Sequence, residues 1–152
     1  MQVRLASPGD AGEVARLIAG FREYYREELP DDATILAAVE RLLEDPGADF
    51  LLAGQPPCGV AQLRFRPSVW TGTEDAWLED LFVEADERRA GVGRALAEAC
   101  VARARDRGCA RIQLDANERN DAALALYRSL GFESGSPQRW DGGRDLYLTR
   151  WL

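Results

Sequence analysis

Histidine and lysine are both missing from this 152-residue chain, so its 19 basic residues are all arginine. Without histidine there is no Ser-His-Asp triad, no Cys-His pair and no His-ligated zinc. Without lysine there is no Schiff-base chemistry and no P-loop lysine. Cysteine is scarce and odd in number: Cys58, Cys100 and Cys109 form no CxxC pair. They read as reduced thiols in a cytoplasmic protein rather than as a disulfide framework. Positive charge is outweighed, with 26 acidic residues and a net charge of -7. That excludes a general nucleic-acid binder, which needs clustered positive charge, and it favours cationic partners through long-range attraction. No apolar run reaches the length of a membrane span, so no membrane partner is expected. The first residues, MQVRLASPGD, have neither the charged nor the apolar region of a signal peptide, and a cytoplasmic location follows as the expectation.

What is there suits an ordinary globular core: 46% apolar and 30% charged residues. Residues 1–152 read as one domain with no internal repeat. A first strand is expected over 3–6. Ser7, Pro8 and Asp10 then form a helix start with a capping box. Val14, Leu17, Ile18, Phe21 and Tyr25 follow at helical spacing, and Pro30 should end that helix. A second helix carries Ile35, Val39 and Leu42 and stops at Asp45-Pro46-Gly47. Strands at 49–53 and 60–65 flank a turn and read as a hairpin. A connecting loop over 67–75 contains Trp70. A strand over 77–83, a helix over 91–107, a strand over 111–116 and a helix over 121–130 come next. A strand region opening at Phe132 and a last strand over 146–151 complete the chain. The expected fold is α/β (α+β), a mixed central sheet flanked by helices, in the order β-α-α-β-β-β-α-β-α-β-β.

The strongest local signal lies between the strand at 77–83 and the following helix. Arg88, Arg89, Ala90, Gly91, Val92, Gly93 and Arg94 open that helix. Unpaired amides at a helix start, close backbone approach at glycine and nearby arginines suit a phosphate group. The third glycine and later acid of a dinucleotide fingerprint are missing, and so is the Walker lysine. Taken alone, such a turn is equally a tight strand-to-helix connection with a solvated arginine cluster.

A second motif changes the weight of the first. Arg88-x-x-Gly91-x-Gly93 resembles the pyrophosphate loop of the GNAT superfamily of N-acetyltransferases. The segment from Asn120 through Tyr127 to Gly131-Phe132 resembles that family's Asn-x-x-Ala-x-x-x-Tyr-x-x-x-Gly-Phe motif. The two occur in the family's order and separation. Ala85, Glu87 and Arg89 stand where many members have Pro, an aromatic and Gly.

The resemblance implies acetyl-CoA as co-substrate and no metal. It implies that the amides from Arg89 through Arg94 hold the pyrophosphate. Leu81 and Val83 would pair with the pantetheine arm, with a backbone N–H near Leu81 or Phe82 stabilising the oxyanion. Asn120 would touch the cofactor; it is equally suited to be a helix N-cap. Tyr127 would be the general acid for the departing thiolate, the alternative being a core aromatic on a helical stripe. Glu79 and Asp80 resemble the acidic pair of the diamine acetyltransferases, with Glu79 as the first choice for base or water anchor and Asp80 as the second. The plain alternative for Glu79 is a salt bridge to Arg64 or Arg66. Strict alternation places Glu79 with Trp77 and Leu81, and Asp80 with Leu78 and Phe82.

Tyr24 and Trp70 are the candidate acceptor contacts, since aromatics beside acids suit a cation. The acceptor expected is a small primary amine. A peptide N-terminus remains an alternative, as does a non-catalytic acyl-CoA-binding module on the same fold. A homodimer is expected from the family and from the apolar C-terminal strand.

Overall fold

Apolar alternation builds a sheet ordered β1-β2-β3-β4-β5 in a computed structural model that describes residues 1–134 and 148–152. The strands are β1 (Val3–Leu5), β2 (Ala48–Ala53), β3 (Gly59–Pro67), β4 (Glu74–Val83) and β5 (Ile112–Leu114). Neighbours are antiparallel except β4 and β5, which run parallel. The helices are α1 (Ala11–Tyr24), α2 (Asp32–Glu44), α3 (Val92–Asp106) and α4 (Asp121–Ser129). The expected order therefore holds through the fourth helix.

Each face of the sheet buries its own core. On one face Leu51, Leu63, Leu78 and Val83 pack against Val92, Leu96 and Cys100 of α3. On the other, Phe50, Leu52, Val60 and Phe82 pack against Val14 and Leu17 of α1 and Ile35 and Val39 of α2. Leu17, Leu52, Leu63 and Leu96 are fully buried, and each such side chain contributes about 1.5–3 kcal/mol. Cys100 is among these packing residues, and burial pushes its thiol up to about 12. The three cysteines are free thiols.

Local chemistry explains most boundaries. The capping box at Ser7 and Asp10 is present, and Arg4 holds both oxygens of Asp10 at 2.8 Å. A short 3-10 turn at Pro8–Asp10 precedes α1. Helix α1 ends at Tyr24, earlier than the Pro30 stop, because Arg26 takes a φ of +56°. The connection to α2 is pinned by Arg22, which donates to the Pro30 carbonyl at 2.8 Å and pairs with Asp32 at 2.8 Å. Asp31 caps α2 by accepting from the Thr34 amide.

Three expectations are corrected. The loop containing Trp70 is shorter than 67–75, because Pro67 pairs with Glu74 at the end of a long hairpin. The strand expected over 111–116 pairs only at Ile112–Leu114. Strict alternation along β4 fails at Glu79, for the reason given below. The strand region opening at Phe132 and the strand at 146–151 fall largely on residues 135–147, outside the described residues. Residues 148–152 carry no strand.

Candidate active site

Strand β4 is paired on both sides over its first half only. Ala76, Trp77 and Leu78 face Ile112, Gln113 and Leu114 of β5, and there β5 ends. Beyond Leu78, β4 keeps β3 on one side and has no strand on the other among the described residues. A slot opens along the edge from Glu79 to Val83.

A register shift stands at the head of that slot. Leu63 pairs with Leu78 and Gln62 with Asp80, so Glu79 is the extra residue of a β-bulge. A bulge resets which face each later side chain takes. Ala76 and Leu78 join the α3 core, and so do Leu81 and Val83, whereas Phe82 joins the α1–α2 core. Asp80 therefore shares a face with Phe82 but not with Leu78, and Glu79 does not share one with both Trp77 and Leu81. Asp80 is partly buried and Glu79 exposed. Burial, and then the Glu79 charge, raise the Asp80 carboxyl to about 6. Neither acid makes a salt bridge among the described residues. Arg64 pairs with Asp45, and Arg66 lies over the Trp77 ring.

The strand leads into a nest of amide donors. Gly91 caps α3 with a φ of +85°, where a side chain would be strained. The first helical bond runs from the Ala95 amide to the Gly91 carbonyl at 3.0 Å. The amides of Arg89, Ala90, Gly91, Val92, Gly93 and Arg94 donate no well-formed bond to any described residue. A Cβ added at Gly93 would meet Leu126, Leu81 and Val83 only at 3.8–3.9 Å. The protein itself thus leaves room there.

The arginine side chains are otherwise engaged. Arg88 Nε donates to the Val83 carbonyl at 2.9 Å, and its guanidinium lies 4.8 Å from the Tyr24 ring centroid. Arg94 donates to Ser129 of α4 at 2.6 Å. Arg88 thus clamps the loop onto strand and helix, and Arg94 ties α3 to α4. These contacts engage one nitrogen of each guanidinium and leave the Arg94 amide, which the resemblance gives to the pyrophosphate, unbonded.

Helix α4 closes the other side of the slot. Asn120 is its N-cap, accepting from the Ala123 amide at 3.1 Å. Tyr127 packs against the α3-face core and meets Phe132 edge-on at 5.7 Å. Burial raises its phenol above the ordinary value, so it stays protonated at neutral pH.

The two acceptor candidates part company. Tyr24 stands at the end of α1, against Arg88 and Tyr25. It borders a cavity of about 990 Å³ with Glu23, Asp32, Glu84, Asp86 and Glu87 on its walls. Trp70 is 86% exposed in the β3–β4 turn, at the far end of β4 from Val83. The structure does not bring Trp70 to Asp80 or Tyr127. Gln62, which the sequence reading passed over, is buried opposite Asp80; a lone amide in the apolar run Val60-Ala61-Gln62-Leu63 was its signal.

Strand, bulge, amide nest and facing helix form one continuous arrangement, and comparison with known proteins gives it a lineage. The family model of the acetyltransferase (GNAT) family matches residues 14–132. The chain belongs to the GNAT family of acetyltransferases. It is 32% identical over 144 residues to a thialysine N-epsilon-acetyltransferase of Bos taurus, covering 86% of this chain and 83% of that one. It is 34% identical over 137 residues to an aminoglycoside N(6')-acetyltransferase type 1 of Stenotrophomonas maltophilia, covering 86% and 85%. A crystal structure assigned to the acetyltransferases, from Arthrobacter sp. FB24, superposes with a TM-score of 0.87 at 31% identity, covering 100% of this chain and 96% of that one. The GNAT chain described here is accordingly an N-acetyltransferase with an amine acceptor. Members of the family use acetyl-CoA as co-substrate. The donor chemistry at residues 89–94 fits its pyrophosphate, and the space at Gly93 fits close approach of its backbone-binding arm.

Proposed function

We propose that this N-acetyltransferase moves the acetyl group of acetyl-CoA directly onto the primary amine of a small cationic molecule. The observation that carries the reading is the free edge of β4 from Glu79 to Val83, continuous with the amide nest at 89–94. An extended amide chain can add to such an edge as another strand would. The edge groups of Leu81 and the N–H of Val83, whose carbonyl is held by Arg88, bind the pantetheine arm. The amides from Arg89 to Arg94 hold the pyrophosphate, while Arg88 keeps the loop in place. Asn120 acts at the cofactor as the cap that fixes the start of α4.

The acceptor arrives as an ammonium and must lose a proton before it can attack. Asp80, with a carboxyl near 6, is ionised at neutral pH and takes that proton directly or through water. Glu79, exposed beside it, supplies a second negative charge to draw the cation in. The amine nitrogen bonds to the thioester carbon, and a backbone N–H near Leu81 or Phe82 donates to the oxyanion. The carbon–sulfur bond then breaks, the Tyr127 hydroxyl gives its proton to the departing thiolate, and the extra proton on the amide nitrogen returns the phenolate to its neutral form through solvent.

Thialysine and aminoglycosides, the acceptors named in two relatives, are both cationic amines. Acidic walls around Tyr24 and a net charge of -7 suit the same class. A thiol-release assay with acetyl-CoA against thialysine, polyamines, aminoglycosides and short peptides tests the reading. Release that depends on a small amine supports it. Release with peptides alone replaces the acceptor class, and binding of acetyl-CoA without any release favours the acyl-CoA-binding module. The reading keeps the enzyme cytoplasmic and homodimeric. Exposed Leu148, Trp151 and Leu152 support the dimer, and sedimentation velocity checks it.

A further inference from the structure

Gln62 is one of two buried polar side chains among the described residues, and the two are treated very differently. The other, Asp75, is fully used: Arg111 donates to it twice, at 2.9 and 2.8 Å, and Thr71 once, at 3.0 Å. Gln62 is only 7% exposed, yet its side chain makes no hydrogen bond with any described residue. Its amide is not sealed away either. The one fully enclosed side-chain polar atom without a partner among the described residues is Nε of Arg22. Gln62 is therefore a buried side chain whose polar end keeps a little accessible surface and bonds to no described residue. Leaving such a group unmatched is costly in a folded interior, so it calls for a partner beyond the described residues, and a bound substrate is one.

Its location says where that partner sits. Ala61 and Leu63 belong to the α3-face core, so Gln62 points to the opposite face, toward α1 and α2. Asp80, directly across the ladder, points the same way because of the bulge at Glu79. Paired strand residues stand about 5 Å apart at their Cα atoms. The amide and the carboxyl thus emerge side by side without bonding each other. Phe50, on the other flank of Gln62, is apolar and buried. The pair is a small polar window in an apolar wall, one member a carboxylate and the other a neutral amide.

An ammonium nitrogen carries several N–H donors, and a single carboxylate leaves some of them unmet. We infer that Gln62 is an acceptor-binding residue whose Oε1 receives an N–H of the substrate amine beside Asp80, so that the site selects primary amines. This deepens the proposed function and rests on it. Gln62 moves no proton: it orients the nitrogen and prefers amines with an N–H to spare. An N-alkylated acceptor gives up such a donor and gains bulk at the window.

Three chains decide the matter: wild type, Gln62→Met, which keeps the shape without the polar atoms, and Gln62→Glu, which keeps acceptor oxygens. Each is melted without ligand, titrated with acetyl-CoA by calorimetry, and assayed for thiol release with thialysine. For Gln62→Met we expect a melting temperature at or above that of wild type, unchanged acetyl-CoA affinity and a KM for thialysine raised about 10-fold with a smaller change in kcat. For Gln62→Glu, which adds a carboxyl beside Asp80, we expect a KM for thialysine at or below that of wild type and the acid limb of kcat/KM moved to higher pH. A lower melting temperature in Gln62→Met overturns the inference, since that marks an internal hydrogen-bonding role. So does a KM within twofold of wild type, or an equal loss in Gln62→Glu. Absence of release by the wild-type enzyme with thialysine and the rest of the amine panel is a different failure. It removes the small-amine reading itself, and the inference with it.

Discussion

The two halves of β4 carry the same residue types to opposite ends. From Glu74 to Leu78 the strand pairs with β3 and, over Ala76–Leu78, with β5 as well, and its aspartate, Asp75, is buried and bound by Arg111 and Thr71. Burial alone would raise Asp75, but those bonds outweigh it and hold the carboxyl below its usual range. From Glu79 to Val83 the strand has one neighbour, and its aspartate, Asp80, has no bonded partner among the described residues. There burial and the Glu79 charge act unopposed, and the carboxyl rises to about 6. One aspartate locks the fold and the other is held ready for a proton. What separates them is the place where β5 stops.

The largest effect that sharpens this contrast is on turnover. Asp80→Asn should lower kcat about 100-fold or more, the usual scale for a lost general base. In the wild type kcat/KM should fall as pH drops through about 6, as Asp80 takes up its proton. That limb should be missing in the variant. A retained limb would assign the base elsewhere, with Glu79 next to be replaced. Tyr127→Phe should cost a comparable factor while acetyl-CoA affinity, read by calorimetry, stays within twofold.

A smaller effect probes the end of the free edge. Gly93→Ala adds a methyl group that meets protein atoms only at 3.8 Å or more, so the fold should tolerate it. If the cofactor backbone passes against that glycine, acetyl-CoA should bind about 10-fold more weakly, on the order of 1.4 kcal/mol. Equal affinity in the two proteins would move the cofactor away from Gly93.

Much of this contrast is legible in the amino-acid sequence. The capping box at Ser7, the cap at Asn120 and the glycine at position 91 are local devices, and each declares itself in a few neighbouring residues. The length of β5 did not show itself. Arg111 to Ala116 has strand character throughout, and where pairing stops depends on the path of β4 beside it. The bulge was hidden for the same reason. Two acids in an apolar strand signalled something unusual, yet alternation put Asp80 on the wrong side of Leu78, because a register shift is a property of two strands. Arg88 shows a further limit. Its charge suggests a phosphate contact, and sequence does not show that its Nε also ties the loop to the Val83 carbonyl while its guanidinium lies over the Tyr24 ring.

The smallest effects are on stability, and they should have opposite signs on the one strand. Asp75→Asn removes a charge from bonds to Arg111, and losing hydrogen bonds to a charged group costs about 2 kcal/mol. Its lowered pKa means that this contribution is present above the usual carboxylate range and is lost as pH falls through it. Asp80 runs the other way. Its folded value of about 6 lies above the ordinary 3.8, so the cost of its charge builds up between those two values and is complete above pH 6. Asp80→Asn should therefore stabilise the enzyme at pH 7.5 by about 1–2 kcal/mol, trimmed by partial solvent access, and raise the melting temperature by a few degrees. Near pH 3 and below, where the wild-type carboxyl is protonated in both states, that gain should vanish. Destabilisation by Asp80→Asn at neutral pH would mean that Asp80 has a structural partner after all, and the two halves of β4 would no longer differ in kind.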